Sequence, residues 1–414
     1  MRYTSTQLYL RLLLFLLFFS ALPSAVRIPG LVEILPSYTY VLLVAIREVI
    51  VILLFLISCY RLILFLGRRN SMLNAFSIFL SMYLLFICIF SFLYSSYGPI
   101  VSLTGLRLFV LSIIPINIIL TPPRELSISI TSNALIVLFY MLFCTFSFIF
   151  NFNSYPSTHG LTFLGPRYPF LYEGPIPACL AFGSFSCFIL LCHLIHPKKA
   201  NTLIVYHAIT LFFNLITGGR SGLIVSTLCT IGSISLITIP RFFNTFFSPK
   251  IIFNRLFILF LAPCLVISLF LLSSNPLISG RPSTAYQIER SGLIGGSFAS
   301  RISIFQRAAL NTNNFAFVFG SPGLGTNVAT QFKLIPVKFM NSDSFVSSSF
   351  LSFGFLGLVL FIYLAFIFWN YSFSVVVFIA FIAFSATTSL PENILPWAQL
   401  CLILVYSRSR GIVN

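Results

Sequence analysis

The chain has 414 residues, of which 58% are hydrophobic and only 7% are charged, and its formal net charge is +17. Soluble globular domains carry roughly 25% charged residues, so this composition excludes a soluble domain and indicates a polytopic membrane protein. The basic residues stand singly or in pairs between apolar runs, as is typical of cytoplasmic loops in membrane proteins. This pattern argues against a nucleic-acid-binding protein.

The first apolar segment, Leu8–Val26, follows Arg2 and has the general layout of a signal peptide. Its candidate cleavage site, Leu22-Pro23-Ser24-Ala25, is poor because Leu and Pro occupy the positions that prefer small residues. We therefore expect an uncleaved membrane anchor.

Eleven further apolar stretches are each close to the ~20 residues that an α-helix needs to cross a bilayer. They cover residues 42–66, 72–94, 105–120, 128–150, 175–195, 201–217, 222–240, 256–273, 345–369, 371–390 and 392–406. The predicted fold class is thus an all-α membrane protein, with residues 1–414 in a single integral membrane domain of about twelve helices. An even number of passes puts both termini on one side, which we predict to be the cytoplasm.

The acidic residues are distributed unequally between the two sides of this topology. Of the seven in the chain, only Glu125 falls on the cytoplasmic side. The others fall outside, at Glu33, Glu48, Glu173, Glu289, Asp343 and Glu392. The asymmetry indicates that the outer face binds or reacts with a polar molecule. For any single acidic residue, an ordinary position in a solvent-exposed loop is the alternative explanation.

Residues 274–345 form the only long stretch that is not strongly apolar. The stretch is rich in Arg, Ser, Gly and Asn and lies between the ninth and tenth predicted helices. It contains no cysteine; all nine cysteines lie in apolar runs, so neither a disulfide framework nor a cysteine-based zinc site is predicted. We predict a large periplasmic loop here and expect any chemistry to involve it.

A second polar feature is Thr217-Gly218-Gly219-Arg220-Ser221-Gly222-Leu223, where one span ends outside and the next begins. The adjacent glycines permit a tight turn, and the N-terminus of the following helix favours an anion. Arg220 adds a planar guanidinium that can bind two phosphate oxygens. The pattern predicts a phosphate or diphosphate clamp, or alternatively an interfacial arginine that reaches lipid headgroups.

Three motifs resemble the superfamily of O-antigen polymerases and O-antigen ligases. The first is the segment around Arg220, and the others are Ser300–Leu310 with Phe319–Gly325, and Ser342–Phe345 with Gly354–Leu358. Their order, their spacing and the large outer loop are all similar to that superfamily. Asp343 favours the O-antigen polymerase family, because the ligases tend to carry a histidine at that place.

The resemblance implies a membrane glycosyltransferase of the GT-C-like type in the bacterial inner membrane, with a periplasmic active site. Such an enzyme joins oligosaccharide repeat units carried on undecaprenyl diphosphate, by inverting transfer and without a metal or another cofactor. Its donor and acceptor are both lipid-linked and lie in the bilayer, and no nucleic acid takes part. The family leaves open whether a chain-length regulator binds.

The implied reaction breaks a bond between an anomeric carbon and a diphosphate, and cations stabilise the departing anion. Arg220 and Arg301 match motif arginines and are the predicted diphosphate ligands. Arg307 ranks lower, because it follows Arg301 by six residues and would point roughly 120° away on a straight helix. Arg290 and Arg281 are secondary candidates for binding diphosphate or glycan, with solvated loop cations as the alternative.

The attacking sugar hydroxyl needs a base to remove its proton. Asp343 and Glu173 are the candidate catalytic carboxylates, and His159 is a third candidate. Structural roles remain open for the first two. Asp343 suits the N-cap of the following helix, and Glu173 suits the start of a helix near Pro175.

Three other functions remain open from the sequence: an O-antigen ligase, which transfers finished chains, a lipid-linked oligosaccharide flippase or other transporter, and a non-catalytic membrane scaffold. Transporters usually carry ionisable residues near the bilayer midplane, whereas the charges predicted here collect near one surface. For Arg47 and Glu48, at the outer end of the second helix, three roles are open: pairing with neighbouring side chains, receiving the diphosphate, or anchoring the helix at the interface.

Overall fold

The computed structural model describes residues 2–20, 22–25, 36, 38–66, 72–94, 98–120, 127–149, 161–162, 165–166, 170, 175–196, 200–238, 318–326 and 344–409. The N-terminal helices are α1 (Arg2–Phe19), α2 (Leu22–Ala25), α3 (Tyr38–Leu66), α4 (Met72–Tyr94), α5 (Pro99–Ser112), α6 (Ile114–Leu120) and α7 (Ser127–Ile149). Leu161–Thr162 and Gly165–Pro166 form a short antiparallel pair, β1 and β2. The C-terminal helices are α8 (Pro175–Ile195), α9 (Ala200–Thr217), α10 (Arg220–Thr238), α11 (Phe345–Phe353), α12 (Phe355–Tyr371), α13 (Val375–Thr387) and α14 (Ile394–Ser409), with a 3-10 helix at Leu390–Glu392.

Six stretches of the described chain are helical, long and apolar enough to cross a membrane. They are Tyr38–Leu64, Asn74–Leu93, Pro99–Ile119, Ile130–Ile149, Ile176–Ile195 and Arg220–Ile237. Shorter apolar helices cover Gln7–Phe19, Thr202–Thr217, Phe355–Tyr371, Val375–Thr387 and Ile394–Arg408. The protein is therefore a multi-pass membrane protein of the all-α class. The predicted span 256–273 and most of the predicted loop 274–345 lie outside the described residues, so the total of twelve spans stays a prediction.

The first predicted span, Leu8–Val26, is divided between α1 and the short α2. Leu13, Leu16 and Leu17 of α1 are fully buried, and α1 packs against α3, α7 and α14. The N-terminal helix is thus part of the bundle and contributes to its core.

The helices differ in how deeply they lie in the bundle. Within α8, 83% of the membrane-spanning window is buried inside the protein, whereas within α3 only 22% is buried. Phe182 and Phe185 of α8 are fully buried, while Ile52 and Leu56 of α3 are largely exposed. Exposed apolar side chains on a membrane helix face lipid, so α8 is central and α3 is peripheral.

Polar side chains join α8, α9 and α10 inside the bundle. Ser186 Oγ donates to Thr210 Oγ1 at 2.8 Å and lies 2.9 Å from Ser226 Oγ. Asn214 Nδ2 donates to Ser226 Oγ at 2.5 Å and to the Gly222 carbonyl oxygen at 3.3 Å. Hydrogen bonds between helices stabilise membrane bundles because lipid offers no polar partner. These three helices therefore form one unit beneath the α9–α10 turn.

Two arginines contact the last turn of α6. Arg61 of α3 is 2% exposed, donates to the Asn117 carbonyl oxygen at 3.4 Å, and lies 4.7 Å from the centroid of the Tyr9 ring. Arg408 of α14 donates to the Ile119 carbonyl oxygen. The last carbonyls of a helix lack intrahelical donors and carry partial negative charge. Both cations therefore cap α6.

The prediction of one continuous span at 345–369 is wrong, because the chain folds back at Gly354. In a continuous helix Phe345 and Phe361 would lie about 24 Å apart, yet their ring centroids are 5.9 Å apart. Gly354 has φ +61°, a conformation that glycine adopts readily. A Cβ on Gly357 would lie 1.9 Å from the Ser349 carbonyl oxygen, so glycine lets α11 and α12 pack closely as a hairpin.

Most other predicted bounds within the described residues agree with the structure to within about four residues, but the prediction 105–120 begins six residues after the start of α5 and includes α6. The predictions 72–94 and 175–195 coincide with α4 and α8. The prediction 371–390 begins four residues before α13, because Ser374 is the N-cap and its Oγ accepts the Val376 N–H at 3.2 Å. Capping side chains of this kind fix a helix start that hydropathy cannot locate.

Candidate functional site

The Arg220 turn, residues 217–223, connects α9 to α10. Gly218 has φ +63°, and its N–H donates to the Asn214 carbonyl oxygen at 3.2 Å. A residue in this left-handed conformation commonly closes the last turn of a helix, and glycine is preferred there. The need to close the C-terminus of α9 therefore explains why position 218 is a glycine.

The other two glycines of the Arg220 turn pack against α8. A Cβ on Gly219 would lie 2.2 Å from Cys179 Sγ, and a Cβ on Gly222 would lie 2.0 Å from the Cys179 carbonyl oxygen. The Gly222 N–H also donates to Cys179 Sγ at 3.2 Å. The start of α10 thus lies directly against the first turns of α8, and added side chains would force the helices apart.

Arg220 is the first residue of α10 and is half-buried. A position at the N-terminus of a 19-residue helix suits the predicted contact with an anion. Arg220 is the one motif arginine predicted to bind diphosphate that lies within the described residues. The predicted site residues of the loops lie outside them: Arg281, Arg290, Arg301, Arg307, Asp343, Glu173 and His159.

The alternative structural roles of the two carboxylates can be compared with the helix starts. Ser344 is the N-cap of α11, and its Oγ accepts the Ser347 N–H at 3.2 Å, so the predicted N-cap role of Asp343 is wrong. α8 begins at Pro175, as predicted, with proline at a position that lacks an intrahelical partner in any case.

The Gly320 loop, residues 318–326, lies against the α11–α12 hairpin. The Ser321 N–H donates to the Leu351 carbonyl oxygen at 2.9 Å. A Cβ on Gly320 would lie 2.4 Å from the Gly354 nitrogen. Two segments that the sequence marked as separate motifs therefore meet, glycine against glycine, at the turn of the hairpin.

The other side of the Gly320 loop lies against α5. A Cβ on Gly323 would lie 1.9 Å from the Val101 carbonyl oxygen. Thr104 Oγ1 lies 3.0 Å from Thr326 Oγ1, and both side chains are buried. The loop is therefore fixed between the beginning of α5 and the hairpin.

A cavity of about 730 Å³ lies next to this part of α5, within the range of ~300–1,000 Å³ that is usual for ligand sites. Its walls come from α3, α5, the first turn of α8, the end of α13 and the residues that follow it. The polar lining comprises Tyr40, Arg47, Glu48, Thr104, Arg107, Thr387, Thr388, Glu392 and Asn393. The apolar lining includes Ile52, Ile100, Leu103 and Ile176.

Three charged side chains form a cluster on one wall, the Glu48 cluster: Arg47, Glu48 and Arg107. Arg47 donates from Nε and Nη2 to Glu48 Oε1 at 3.1 and 3.0 Å. Arg107 donates from Nε to Glu48 Oε2 at 2.9 Å. In the contacts that the structure describes, the two terminal nitrogens of Arg107 take no part in this ion pair. One carboxylate thus holds two guanidinium groups in defined positions.

The Glu48 cluster agrees with the predicted pairing of Arg47 and Glu48 with neighbouring side chains. The two pair with each other and with Arg107 across two helices, and they line a cavity. Their roles in receiving the diphosphate or in anchoring the helix stay predictions. The sequence pattern did not single out Arg107. A usable signal was present, because Arg107 comes eight residues after Pro99 in an apolar helix, and ionisable residues within membrane helices usually have a charged partner and a function.

The Glu48 cluster lies on two helical stretches that are long and apolar enough to cross a membrane, Tyr38–Leu64 and Pro99–Ile119. Ionisable side chains within membrane helices are costly unless they are paired. The ion pairs of Glu48 with Arg47 and Arg107 lower that cost.

Two predicted motif segments contact helices that line the cavity. Thr104 of α5 lines it and contacts Thr326 of the Gly320 loop. Pro177 of α8 also lines it, and two residues later Cys179 packs against the Arg220 turn. Neither motif segment contributes a described lining residue, so each is connected to the cavity through a neighbouring helix.

No group of three or more His, Cys, Asp or Glu side chains that could hold a metal occurs in the described parts of the chain. The chain matches no family model, no curated protein and no solved structure. Function must therefore be inferred from the residues and contacts of the chain itself.

Proposed function

We propose that the protein is an O-antigen polymerase, a glycosyltransferase of the bacterial inner membrane that joins undecaprenyl-diphosphate-linked repeat units at the periplasmic face. The packing of the Gly320 loop against α5 and the α11–α12 hairpin, and of the Arg220 turn against α8, supports this most, because α5 and α8 line one polar cavity. These motif segments are far apart in sequence, yet each of the two contacts a helix that lines the same cavity.

The proposed reaction is a single inverting displacement. A hydroxyl of the acceptor sugar attacks the anomeric carbon of the donor, and the carbon–oxygen bond to the diphosphate breaks. The electron pair leaves with undecaprenyl diphosphate, which Arg220 and Arg301 stabilise. The hydroxyl proton passes to a carboxylate, Asp343 or Glu173.

The lining of the cavity suits substrates that arrive within the bilayer. Ile100 is 60% exposed, Ile52 56% and Leu103 51%, although all three border the cavity. On a membrane protein such side chains face lipid, so the cavity is bordered by lipid on that side. A polyprenyl chain can therefore stay in the membrane while its polar head reaches the protein.

Deletion of the gene in the bacterium that encodes the chain tests this function. Lipopolysaccharide should then carry a single repeat unit, seen on a gel as loss of the ladder above the first band. Wild-type protein and the Arg11→Ala variant, which changes an exposed arginine of α1, should restore the ladder. Arg220→Ala at equal expression should not.

The other possible outcomes of the deletion distinguish the polymerase from the alternative functions. Loss of all O-antigen would identify a ligase, and an unchanged ladder would contradict both enzymatic functions. Alkaline phosphatase fused after residue 300 should be active and fused after residue 250 inactive, because the enzyme is active only in the periplasm. The reverse pattern would place the proposed site on the wrong side of the membrane.

A further inference from the structure

We infer that the cavity beside the Glu48 cluster binds uncharged sugar residues of the lipid-linked repeat unit, and not its diphosphate. The identity of the sugar rests on the proposed function. The choice between sugar and phosphate rests on the cavity alone.

The first argument is the mixture of charges in the lining. In the described lining, two arginines, Arg47 and Arg107, occur together with two carboxylates, Glu48 and Glu392. Phosphate oxygens only accept hydrogen bonds, and a carboxylate both lacks donors and repels them. A site for diphosphate would therefore be lined by donors. A lining with two carboxylates is unfavourable for an anion.

The second argument is that sugar hydroxyls donate and accept at the same time. Guanidinium groups in this cavity donate, carboxylates accept, and Thr388, Asn393 and Tyr40 can do both. Both donors and acceptors occur on the wall formed by α3 and α5 and on the wall formed by the residues after α13. A polyhydroxylated, uncharged ligand matches such a lining.

The third argument is that the polar groups are already held in place. Arg107 has 15% and Arg47 20% of its side chain exposed, and Glu48 fixes both. Asn393 Nδ2 donates to Thr388 Oγ1 at 2.8 Å and to the Ser389 carbonyl oxygen at 3.2 Å. Groups that are ordered before binding lose little entropy when a ligand arrives, so weak hydrogen bonds to hydroxyls suffice.

The position of the cavity fits a division of the substrate between two places. The Arg220 turn packs against Cys179 of α8, and the cavity is lined by Pro177 one half-turn earlier. A diphosphate at Arg220 and a sugar in the cavity would thus be neighbours on either side of the first turn of α8. Arg107 would act as a sugar-binding residue and Glu48 as the residue that positions it.

Direct binding measurements on the purified full-length protein test this assignment. One probe is the free repeat-unit oligosaccharide released from the host polysaccharide, and the other is undecaprenyl diphosphate without sugar. The variants are Arg107→Gln, which leaves Glu48 paired with Arg47, and Leu106→Trp, which enlarges a half-buried lining side chain without changing a charge. Arg11→Gln and Leu135→Trp are the matched controls, because Arg11 and Leu135 are exposed and do not line the cavity.

Both cavity variants should weaken oligosaccharide binding about tenfold and leave undecaprenyl diphosphate binding at the level of the controls. Weaker binding of undecaprenyl diphosphate, with or without loss of the oligosaccharide, would overturn the assignment. So would unchanged oligosaccharide binding in both variants. A protein that binds the oligosaccharide in this way but forms no polymer would contradict the proposed function and leave the sugar site standing.

Discussion

The two ends of the helix bundle use arginine in different ways. At one end, Arg61 and Arg408 donate to the carbonyl oxygens at the end of α6 and lie over the rings of Tyr9 and Tyr371. At the other end, two arginines share the carboxylate of Glu48 beside a cavity.

The two kinds of arginine differ in whether the side chain lines a cavity that a ligand can enter. Arg61 is almost completely buried, and its described contacts are with the protein's own backbone and an aromatic ring. Arg107 uses Nε for its ion pair and lines the cavity. Burial against backbone carbonyls and an aromatic ring indicates a structural cation, whereas a paired cation that lines a cavity can also serve binding.

The largest effect on stability should come from Arg61→Ala. Loss of a charged hydrogen bond and of a buried cation–π contact should lower the free energy of unfolding by about 3 kcal/mol, measured as a drop in Tm of the detergent-purified protein. Arg107→Gln should cost about 1 kcal/mol, because Glu48 keeps Arg47. An equal loss of unfolding free energy in the two variants would show that Arg61 and Arg107 do not differ in their structural role.

The glycines of the Arg220 turn give the next largest effect. Gly219→Ala and Gly222→Ala should each destabilise the protein by about 2 kcal/mol through overpacking and reduce polymer formation. Cys179→Gly should rescue Gly219→Ala, whose new Cβ meets the Cys179 side chain. It should not rescue Gly222→Ala, whose Cβ meets the Cys179 carbonyl oxygen.

Thermal unfolding of the single and double variants measures this difference, with Cys179→Gly alone as the reference. Rescue of both glycine variants would show that the helix backbones are not in contact here. Rescue of neither would show that the side chain of Cys179 is not the obstacle to a Cβ at position 219.

A smaller effect on stability, about 1 kcal/mol, is expected for Glu48→Gln. The variant removes one negative charge and leaves two arginines beside the cavity. Undecaprenyl diphosphate should therefore bind more tightly than to the wild type, and the gain should shrink as salt is raised, since exposed charges are screened. Weaker binding of this anion would show that Glu48 supports an anion site.

The smallest effect is expected for the contact between α5 and the Gly320 loop. Thr104→Val removes the hydrogen bond to Thr326 and should cost about 0.6 kcal/mol, the average for such bonds inside membrane proteins. A double-mutant cycle with Thr326→Val isolates the pair by thermal unfolding. A coupling energy of zero would mean that this contact does not fix the loop.

Much of the helical framework could be predicted because a bilayer demands long apolar stretches. The bounds of α4 and α8 follow from hydropathy alone. The α11–α12 hairpin could not be predicted from hydropathy. Residues 345–369 are apolar enough for one span, and hydropathy contains no information on where a chain reverses. The four buried serines of α11 and Gly354 were the available signals.

The candidate site was only partly accessible to sequence reasoning. Arg220 stands out because two glycines precede it and a helix follows it. The Glu48 cluster could not be derived, because it joins Glu48 to a residue 59 positions later on a helix that need not have been its neighbour. Glu392 was recognised as an outer acidic residue, but its place in the same cavity depends on how α13 and α14 pack.

The sequence by itself determined that this protein lies in a membrane and where most of its helices run, because the cost of exposing polar backbone to lipid leaves few other structures. Only the tertiary structure decided which charges meet, where the chain reverses at Gly354, and that the Arg220 turn and the Gly320 loop pack against helices that line one cavity. Those features depend on contacts between distant segments, and side-chain packing, unlike hydropathy, cannot be read one segment at a time.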